Sequence, residues 1–198
     1  KASALNYGIA ACKTDFVVCV DADTQLQADA VSRLMKHFIA DEASRVGAVA
    51  GNVKVGNQRN MLTYWQAIEY TTSQNFDRMA YSNINGVTVV PGAIGAFRKK
   101  ALEAVGGFTT DTLAEDCDLT MSINEHGYVI ENENYAVAMT EAPETLRQFV
   151  KQRIRWSFGV MQTFWKHRSS LFARSKGGFG LWAMPNMLIF QYIIPTFS

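Results

Sequence analysis

Residues 16–23 read FVVCVDAD, a run of five apolar residues that ends at two carboxylates. Such an uninterrupted run is typical of a strand buried within a parallel sheet. Asp21 and Asp23 would then follow the carboxyl end of the strand, where open α/β sheets bind their ligands. Two carboxylates this close repel each other unless a cation lies between them. The pattern therefore predicts a divalent metal site that also takes a diphosphate, or more plainly a polar strand exit with Asp23 capping a turn.

The segments around this strand continue an α/β pattern, and 198 residues suffice for one domain with a sizeable core. Apolar residues spaced three and four apart predict an amphipathic helix over residues 28–39. A second apolar run at residues 46–51 completes a predicted βαβ unit. Further strands are predicted over residues 87–90, 94–97, 128–130 and 135–139, and helices over residues 1–11, 61–81, 98–105, 116–126 and 145–166. The aromatic residues of the helix over 61–81 are assigned to the core.

Three acidic residues in a span of four, Glu115, Asp116 and Asp118, open the predicted helix over 116–126. Acidic side chains stabilise a helix N-terminus, so simple capping is one interpretation. Glu115 and Asp116 are adjacent, however, and cannot both serve as the single cap. The surplus carboxylate therefore indicates a general-base site as the alternative.

Charge is distributed unevenly along the chain. All 18 acidic residues lie within residues 1–144, whereas eight of the 19 basic residues follow Glu144. Residues 145–176 combine these cations with bulky apolar side chains, which suits a helix in a membrane interface. Residues 177–198 carry no charge and are long enough to cross a bilayer, although their prolines favour a kinked or re-entrant segment and a buried core helix is the alternative. The preceding cations place that side in the cytoplasm.

The cysteines and the charge pattern exclude some classes of protein. Cys12, Cys19 and Cys117 are odd in number and lack metal-ligand spacing, so we expect free thiols in a reducing compartment. The basic residues precede an apolar tail and the rest of the chain is acidic. A nucleic-acid partner is therefore not expected.

Three motifs occur in order: DAD at residues 21–23, LAED at 113–116 and QRIRW at 152–156. Together they resemble the D-x-D, T-E-D and Q-x-x-R-W signatures of inverting family-2 glycosyltransferases, above all the processive membrane synthases of poly-N-acetylglucosamine, chitin, hyaluronan and cellulose. NVKVGN at 52–57 and PGAIGAFR at 91–98 look most like the N-acetylglucosamine-polymer branch. Ala114 departs from the commoner Thr of the second motif.

The resemblance implies an α/β fold of the GT-A type, a Rossmann-like mixed sheet flanked by helices. Residues 1–144 would form the catalytic domain without its N-terminal nucleotide-binding strands, which we expect upstream of Lys1. Residues 145–176 would form a basic amphipathic interface helix, and residues 177–198 a truncated apolar membrane segment. The implied location is the inner (plasma) membrane, with the catalytic domain in the cytoplasm.

The resemblance also implies roles for individual residues. Asp21 and Asp23 would hold Mg²⁺ or Mn²⁺ against the diphosphate of a UDP-sugar. Asp116 would be the general base that takes the proton of the acceptor hydroxyl. Binding of the donor diphosphate is assigned to Lys1, Asp21, Asp23, Gln152, Arg153 and Arg155. Binding of the acceptor is assigned to Pro91, Gly92, Glu115 and Trp156.

The implied activity is metal-dependent addition of sugar units to a growing β-linked polysaccharide. UDP-N-acetylglucosamine is the expected donor, and membrane lipid and an accessory membrane subunit are the further partners. One alternative is a non-catalytic, membrane-docked scaffold or nucleotide-binding module whose acidic residues merely cap helices. A nucleotidyltransferase is another, although QRIRW at 152–156 has no obvious place in one.

Overall fold

The computed structural model describes residues 1–193, except for the side chains at positions 73, 74 and 191. One five-stranded sheet forms its centre, in the order β1-β4-β3-β5-β2. β3 and β5 are parallel, and the other neighbouring pairs are antiparallel, so the sheet is mixed. The strands are β1 Phe16–Cys19, β2 Gln25–Leu26, β3 Val46–Val55, β4 Gly95–Arg98 and β5 Val129–Thr140.

Helices cover both faces of this sheet. The α-helices are α1 Ala2–Ala11, α2 Ala30–Ala40, α3 Met61–Glu69, α4 Asp77–Ser82, α5 Lys99–Val105, α6 Glu115–Glu125, α7 Leu146–Lys166 and α8 Met184–Leu188. π-Helical turns span Tyr70–Phe76, Phe179–Ala183 and Ile189–Ile193, and 3₁₀ turns span Arg168–Ser170 and Arg174–Lys176. The helices predicted near the start of the chain and between positions 28 and 166 are thus confirmed, with shifts of one or two residues at their ends.

Val17 and Cys19 of β1 are buried, but Phe16 and Val18 are only partly buried and Val20 is exposed, so the predicted buried strand is confirmed in part. The prediction that β1 has a parallel neighbour is wrong. β4 pairs with it antiparallel, with Phe16 opposite Arg98 and Cys19 opposite Gly95. β4 also runs antiparallel to β3, so β1 and β3 point the same way and α2 connects them. The βαβ connection is therefore present with a strand inserted into it. An apolar run reports burial on both faces, and it carries no information about strand direction.

Two other strand predictions need correction. Residues 87–90 are buried in part but form no strand, because the Val90 N–H donates to Thr120 Oγ1 instead of a neighbouring strand. The two short strands predicted over 128–130 and 135–139 are one strand, β5. Its register against β3 shifts between Gly51 and Asn52, and this bulge takes up residues 134–136 of β5.

Alternating side chains of the sheet pack into two apolar layers, one on each face of the sheet. On one face, Val49 and Val53 of β3 pack with Leu34 and Phe38 of α2. On the other face, Ala48 and Ala50 pack with side chains of α1 and α6. A third cluster joins α6 and α7 to the C-terminal turns through Met121, Phe164, Phe179 and Met184. The three cysteines are free, as predicted.

The helical run over residues 61–82 is turned opposite to the predicted orientation. Its outer face exposes the apolar side chains of Met61, Tyr64, Trp65, Ile68, Phe76 and Met79. Its inner face is polar: Asn75 Nδ2 donates to Val53 O at 2.9 Å and Arg78 Nη1 to Gly51 O at 3.2 Å. The prediction that its aromatic residues lie in the core is confirmed for Tyr70 and wrong for Tyr64, Trp65 and Phe76. The polar side chains turn inward because the bulged part of β3 presents backbone carbonyls that need donors.

α7 begins where predicted, with the Thr145 side chain accepting a hydrogen bond from the Gln148 N–H. The apolar segment after it is broken into short turns, and Phe179, Met184 and Met187 are buried against α6 and α7. Across residues 1–193, we find no helix that combines the length and the apolar character needed to span a membrane. The end of the predicted membrane segment, residues 194–198, lies outside the described residues.

Gly159→Ala should destabilise the protein, because the new Cβ would lie 2.7 Å from the backbone N of Ala114 and 2.8 Å from the carbonyl carbon of Leu113. Backbone atoms cannot rotate away, so we expect a loss of about 1–3 kcal/mol in the free energy of unfolding. Gly8→Ala, with nothing within 4 Å of its Cβ, should instead gain up to about 1 kcal/mol in helix α1. Chemical denaturation followed by tryptophan fluorescence measures both. A Gly159→Ala protein as stable as the parent would contradict this packing.

Candidate active site

Four segments converge on one narrow cleft: the end of β1, the start of α1, the loop before β4 and the start of α6. Charged residues at its wall are Lys1, Asp21, Glu115 and Asp116, and Pro91 and Gly92 close one side. Val90, Phe97 and Phe108 supply an apolar floor. The structure therefore brings together six of the residues that the sequence nominated.

Asp21 and Asp23 share one tight turn after β1, in which the Thr24 N–H donates to Asp21 O at 3.1 Å. The side chain of Asp21 is one-third exposed, at 33%, and Asp23 is exposed. Only Asp21 lines the cleft, while Asp23 lies in the turn beside it. Both carboxylates are thus accessible to a ligand that arrives from solvent.

Lys1 joins two carboxylates across the cleft. Its Nζ lies 2.7 Å from Asp21 Oδ1 and 3.1 Å from Glu115 Oε1. Burial opposes the charged form, but the hydrogen bond and charge of Asp21, with those of Glu115, outweigh it and raise the pKa of Lys1. Helix α1 is held in place one turn later, where the side chain of Asn6 bonds both the N–H and the C=O of Phe108. The ammonium is therefore aimed at the cleft by the scaffold.

Gly92 lets the backbone approach this ion pair. A Cβ at position 92 would lie 2.7 Å from Lys1 Nζ and 3.2 Å from Asp21 Oδ2. The turn that carries it closes with the Ile94 N–H donating to Pro91 O at 3.1 Å. A larger residue at this position would push Lys1 and Asp21 apart.

Asp116 lies in the first turn of α6 and accepts a hydrogen bond from the Cys117 N–H at 2.8 Å. Burial, and next the negative charge of Glu115, raise the pKa of Asp116 above its ordinary value, while the Cys117 N–H and Lys1 oppose the rise. A carboxyl group in a cleft with a raised pKa is a good candidate for a general base.

α7 passes directly beside the start of α6 but contributes no side chain to the cleft wall. Arg153 is held elsewhere, with Nη1 at 2.5 Å and Nη2 at 2.7 Å from the two carboxylate oxygens of Glu69. Its guanidinium also stacks 4.7 Å from the ring centre of Trp156. Arg155 is exposed, and the Oε1 atom of Gln152 is buried with no hydrogen-bond partner among the described residues. The ligand roles of these four residues therefore stay predictions, and Arg153 would first have to leave Glu69.

Sequence reasoning missed Arg78, which is only 8% exposed on the polar face of α4. Burial lowers the pKa of Arg78 to about 10, and the negative charge of Asp116 opposes this change. A buried cation thus lies within electrostatic range of the candidate base. One signal was present: Asn75 and Arg78 are three residues apart and so share one side of a helix otherwise rich in apolar residues.

The donor set fits a divalent cation that completes its shell with ligand oxygens. Within the described residues, no group of three or more His, Cys, Asp or Glu side chains is arranged to hold a metal. Asp21 and Asp23 nevertheless offer carboxylate oxygens from a single turn, and Asp21 already attracts the Lys1 ammonium. Mg²⁺ and Mn²⁺ prefer such hard oxygen ligands and readily take phosphate oxygens as the rest.

Comparisons with known proteins agree with this architecture. Residues 16–198 match the profile of the protein family described as Glycosyl transferase family group 2. A protein of Staphylococcus aureus (strain COL) named poly-beta-1,6-N-acetyl-D-glucosamine synthase is 35% identical over 159 residues, 80% of this chain and 38% of that protein. A Staphylococcus epidermidis protein of the same name is 32% identical over 169 residues, 83% of this chain and 40% of that protein. The chain thus spans about two fifths of the length of these curated relatives.

Among solved structures, a mannosyltransferase from Pyrobaculum calidifontis in complex with GDP-Man and Mn²⁺ is similar, with a TM-score of 0.63 and 28% identity. The match covers 84% of this chain and 43% of that one. This likeness and the mixed sheet confirm the predicted α/β fold of the GT-A type. The predicted boundaries at residues 144 and 176 stay predictions.

If Asp116 is the base, the acid limb of the pH profile of kcat/KM should have an apparent pKa above the ordinary Asp value of about 3.9. The reason is that burial and the charge of Glu115 raise the pKa of Asp116. Glu115→Gln removes the nearest negative charge, so the limb should move to lower pH. Glu103→Gln, an exposed carboxyl on α5, is the matched control and should leave it in place. Product release measured from pH 4 to 8 tests this, and a limb that Glu115→Gln leaves unmoved or shifts upward would contradict it.

Proposed function

The chain belongs to glycosyl transferase family group 2, and on that premise we propose that it is part of a membrane-associated, inverting glycosyltransferase. The proposed enzyme adds sugar units from a UDP-sugar, expected to be UDP-N-acetylglucosamine, to a growing β-linked polysaccharide. One observation carries the proposal: Asp116, with its raised pKa, lies in the same cleft as Asp21. One carboxylate can then act as a base while the other faces the leaving group.

The proposed reaction is a single displacement at the anomeric carbon. Asp116 would accept the proton of the acceptor hydroxyl as its oxygen attacks that carbon. The bond between that carbon and the diphosphate oxygen breaks, and its electron pair leaves with UDP. The sugar is then bonded to the acceptor oxygen with its anomeric configuration inverted. Glu115 would hold the Lys1 ammonium at the cleft, where Lys1 can meet the departing diphosphate.

A divalent cation, Mg²⁺ or Mn²⁺, held by Asp21 and Asp23 would supply positive charge to the departing diphosphate. The neighbour from Pyrobaculum calidifontis was solved with Mn²⁺ and a nucleotide sugar, which supports a metal role here. Gln152, Arg153 and Arg155 would add donors to the diphosphate, and Trp156 would pack under the acceptor sugar, with Pro91 and Gly92 beside it.

The expected donor rests on the relatives named poly-beta-1,6-N-acetyl-D-glucosamine synthase. The expected membrane association rests on the surface of this chain. Along α7, exposed apolar residues recur every four positions at Leu146, Val150, Ile154 and Phe158, and Arg147, Lys151 and Arg155 are exposed among them. Such a helix suits an anionic interface, with the catalytic domain on the cytoplasmic side of the inner (plasma) membrane and an accessory membrane subunit as a further partner.

Asp116→Asn should abolish sugar transfer, because the amide cannot accept the proton; general-base catalysis typically supplies about 10²–10⁴-fold in rate. The assay is UDP release by the parent protein in membranes, given UDP-N-acetylglucosamine or UDP-glucose with and without Mn²⁺ or Mg²⁺. Asp15→Asn, an exposed carboxyl before β1, is the isosteric control and should retain the parent rate.

Two outcomes would count against the proposal. UDP release that survives in Asp116→Asn would contradict the assignment of the base. No release from either donor, together with lipid binding that ignores UDP and Mn²⁺, would favour the non-catalytic scaffold. A preference for one donor in the parent protein identifies the sugar.

A further inference from the structure

A buried charged cluster joins α6 to the end of α7. His167 places Nε2 2.9 Å from Asp118 Oδ1 and Nδ1 2.8 Å from Glu125 Oε2. Lys166 Nζ lies 2.9 Å from the other oxygen of Asp118. We call Asp118, Glu125, Lys166 and His167 the α6–α7 clamp.

Both ring nitrogens of His167 face carboxylates, so the ring is held as an imidazolium. Burial opposes its charged form, but the hydrogen bonds to Asp118 and Glu125 outweigh that and raise the pKa of His167 to about 9. Burial also opposes ionisation of Asp118, yet hydrogen bonds from His167, Thr109 and Lys166 lower its pKa to about 2. His167 is 5% exposed and Asp118 is completely buried. Charges buried at this depth are costly, and they hold only one geometry well.

The clamp acts on the helix that carries the proposed base. Asp116 and Asp118 are two residues apart on α6, so their side chains point to nearly opposite sides of the helix axis. Asp116 faces the cleft and Asp118 faces α7. Just before α6, the Leu113 N–H donates to Gln162 Oε1 of α7 at 3.1 Å, and Gly159 packs against Ala114. α7 therefore holds α6 both before and after Asp116.

The same helix carries QRIRW at residues 152–156. α7 is continuous from Leu146 to Lys166, so a change in its angle at His167 is carried along the helix. His167 lies eleven positions after Trp156, which corresponds to about 16 Å along the axis. Asp21 and Gly92 belong to other segments of the chain, whereas Lys1 contacts α6 through Glu115.

We propose that His167 is a positioning residue for the transfer step. By locking α6 to α7, the clamp sets the distance between Asp116 and the residues at 152–156, and hence how an acceptor hydroxyl meets the base. This inference rests on the proposed function. It predicts that loss of the clamp harms transfer to the sugar acceptor more than attack by water, because water needs no fixed acceptor site.

The test counts two products from the same membranes. Radiolabelled UDP-N-acetylglucosamine is supplied to the parent protein and to His167→Gln, and polymer-bound label is measured beside total UDP released. In His167→Gln we expect about tenfold less sugar incorporated for each UDP released. Asp118→Asn removes the other half of the clamp and should give the same split.

Matched controls separate positioning from loss of fold. His126→Gln, an exposed histidine at the end of α6, should leave the ratio of polymer to UDP unchanged. Glu125→Gln changes a partner that is 23% exposed, and it is the milder variant to measure if His167→Gln yields no folded protein. Its ratio should fall in the same direction by a smaller factor.

The outcomes are distinct. If polymer and UDP fall by the same factor in every clamp variant, the ratio of polymer to UDP does not change. That result would overturn the positioning role. A parent protein that releases no UDP and makes no polymer from any donor would overturn the proposed function itself. Only the split between the two products in the variants supports His167 as a positioning residue.

Discussion

Repulsion among carboxylates is the constraint on which this cleft depends. Asp21 arrives from the end of β1, and Glu115 and Asp116 arrive from the start of α6. Lys1 compensates two of these charges directly, and the crowding that remains helps to raise the pKa of Asp116. A divalent cation held by Asp21 and Asp23 would weaken the attraction between Asp21 and the Lys1 ammonium. Cation and diphosphate are therefore expected to enter together, because the diphosphate offers Lys1 a new partner.

The local part of this site was readable from the sequence. A buried strand that ends at Asp21 and Asp23, and a helix that opens with Glu115 and Asp116, are adjacent-residue patterns with a direct physical meaning. The contact between Arg153 and Glu69 could not be predicted from the sequence, because the two residues are 84 positions apart and either could have paired with another residue. The insertion of β4 between β1 and β3 was hidden for the same reason, since strand order is set by pairing over long distances.

The helical run over residues 61–82 shows why periodicity alone can mislead. The periodicity of an amphipathic helix identifies its apolar and polar faces, but the neighbouring structure determines which face packs inward. Here Arg78 donates a hydrogen bond to the carbonyl oxygen of Gly51, and Asn75 donates one to that of Val53, next to the bulge of β3. The polar side chains therefore lie on the inner face. The apolar side then faces outward, and Glu69 of this run is bonded to Arg153 of α7, which also exposes apolar side chains. The same exposed surface supports the proposed membrane association.

The most direct test of the account is a titration of UDP onto the full-length parent protein, by calorimetry, with and without Mn²⁺. We expect Mn²⁺ to strengthen UDP binding at least about tenfold and Asp21→Asn to remove this gain, because Asp21 would help to hold the cation against the diphosphate. UDP binding of equal strength without Mn²⁺, or a gain that persists in Asp21→Asn, would contradict the claim that this carboxylate cleft is a metal–diphosphate site.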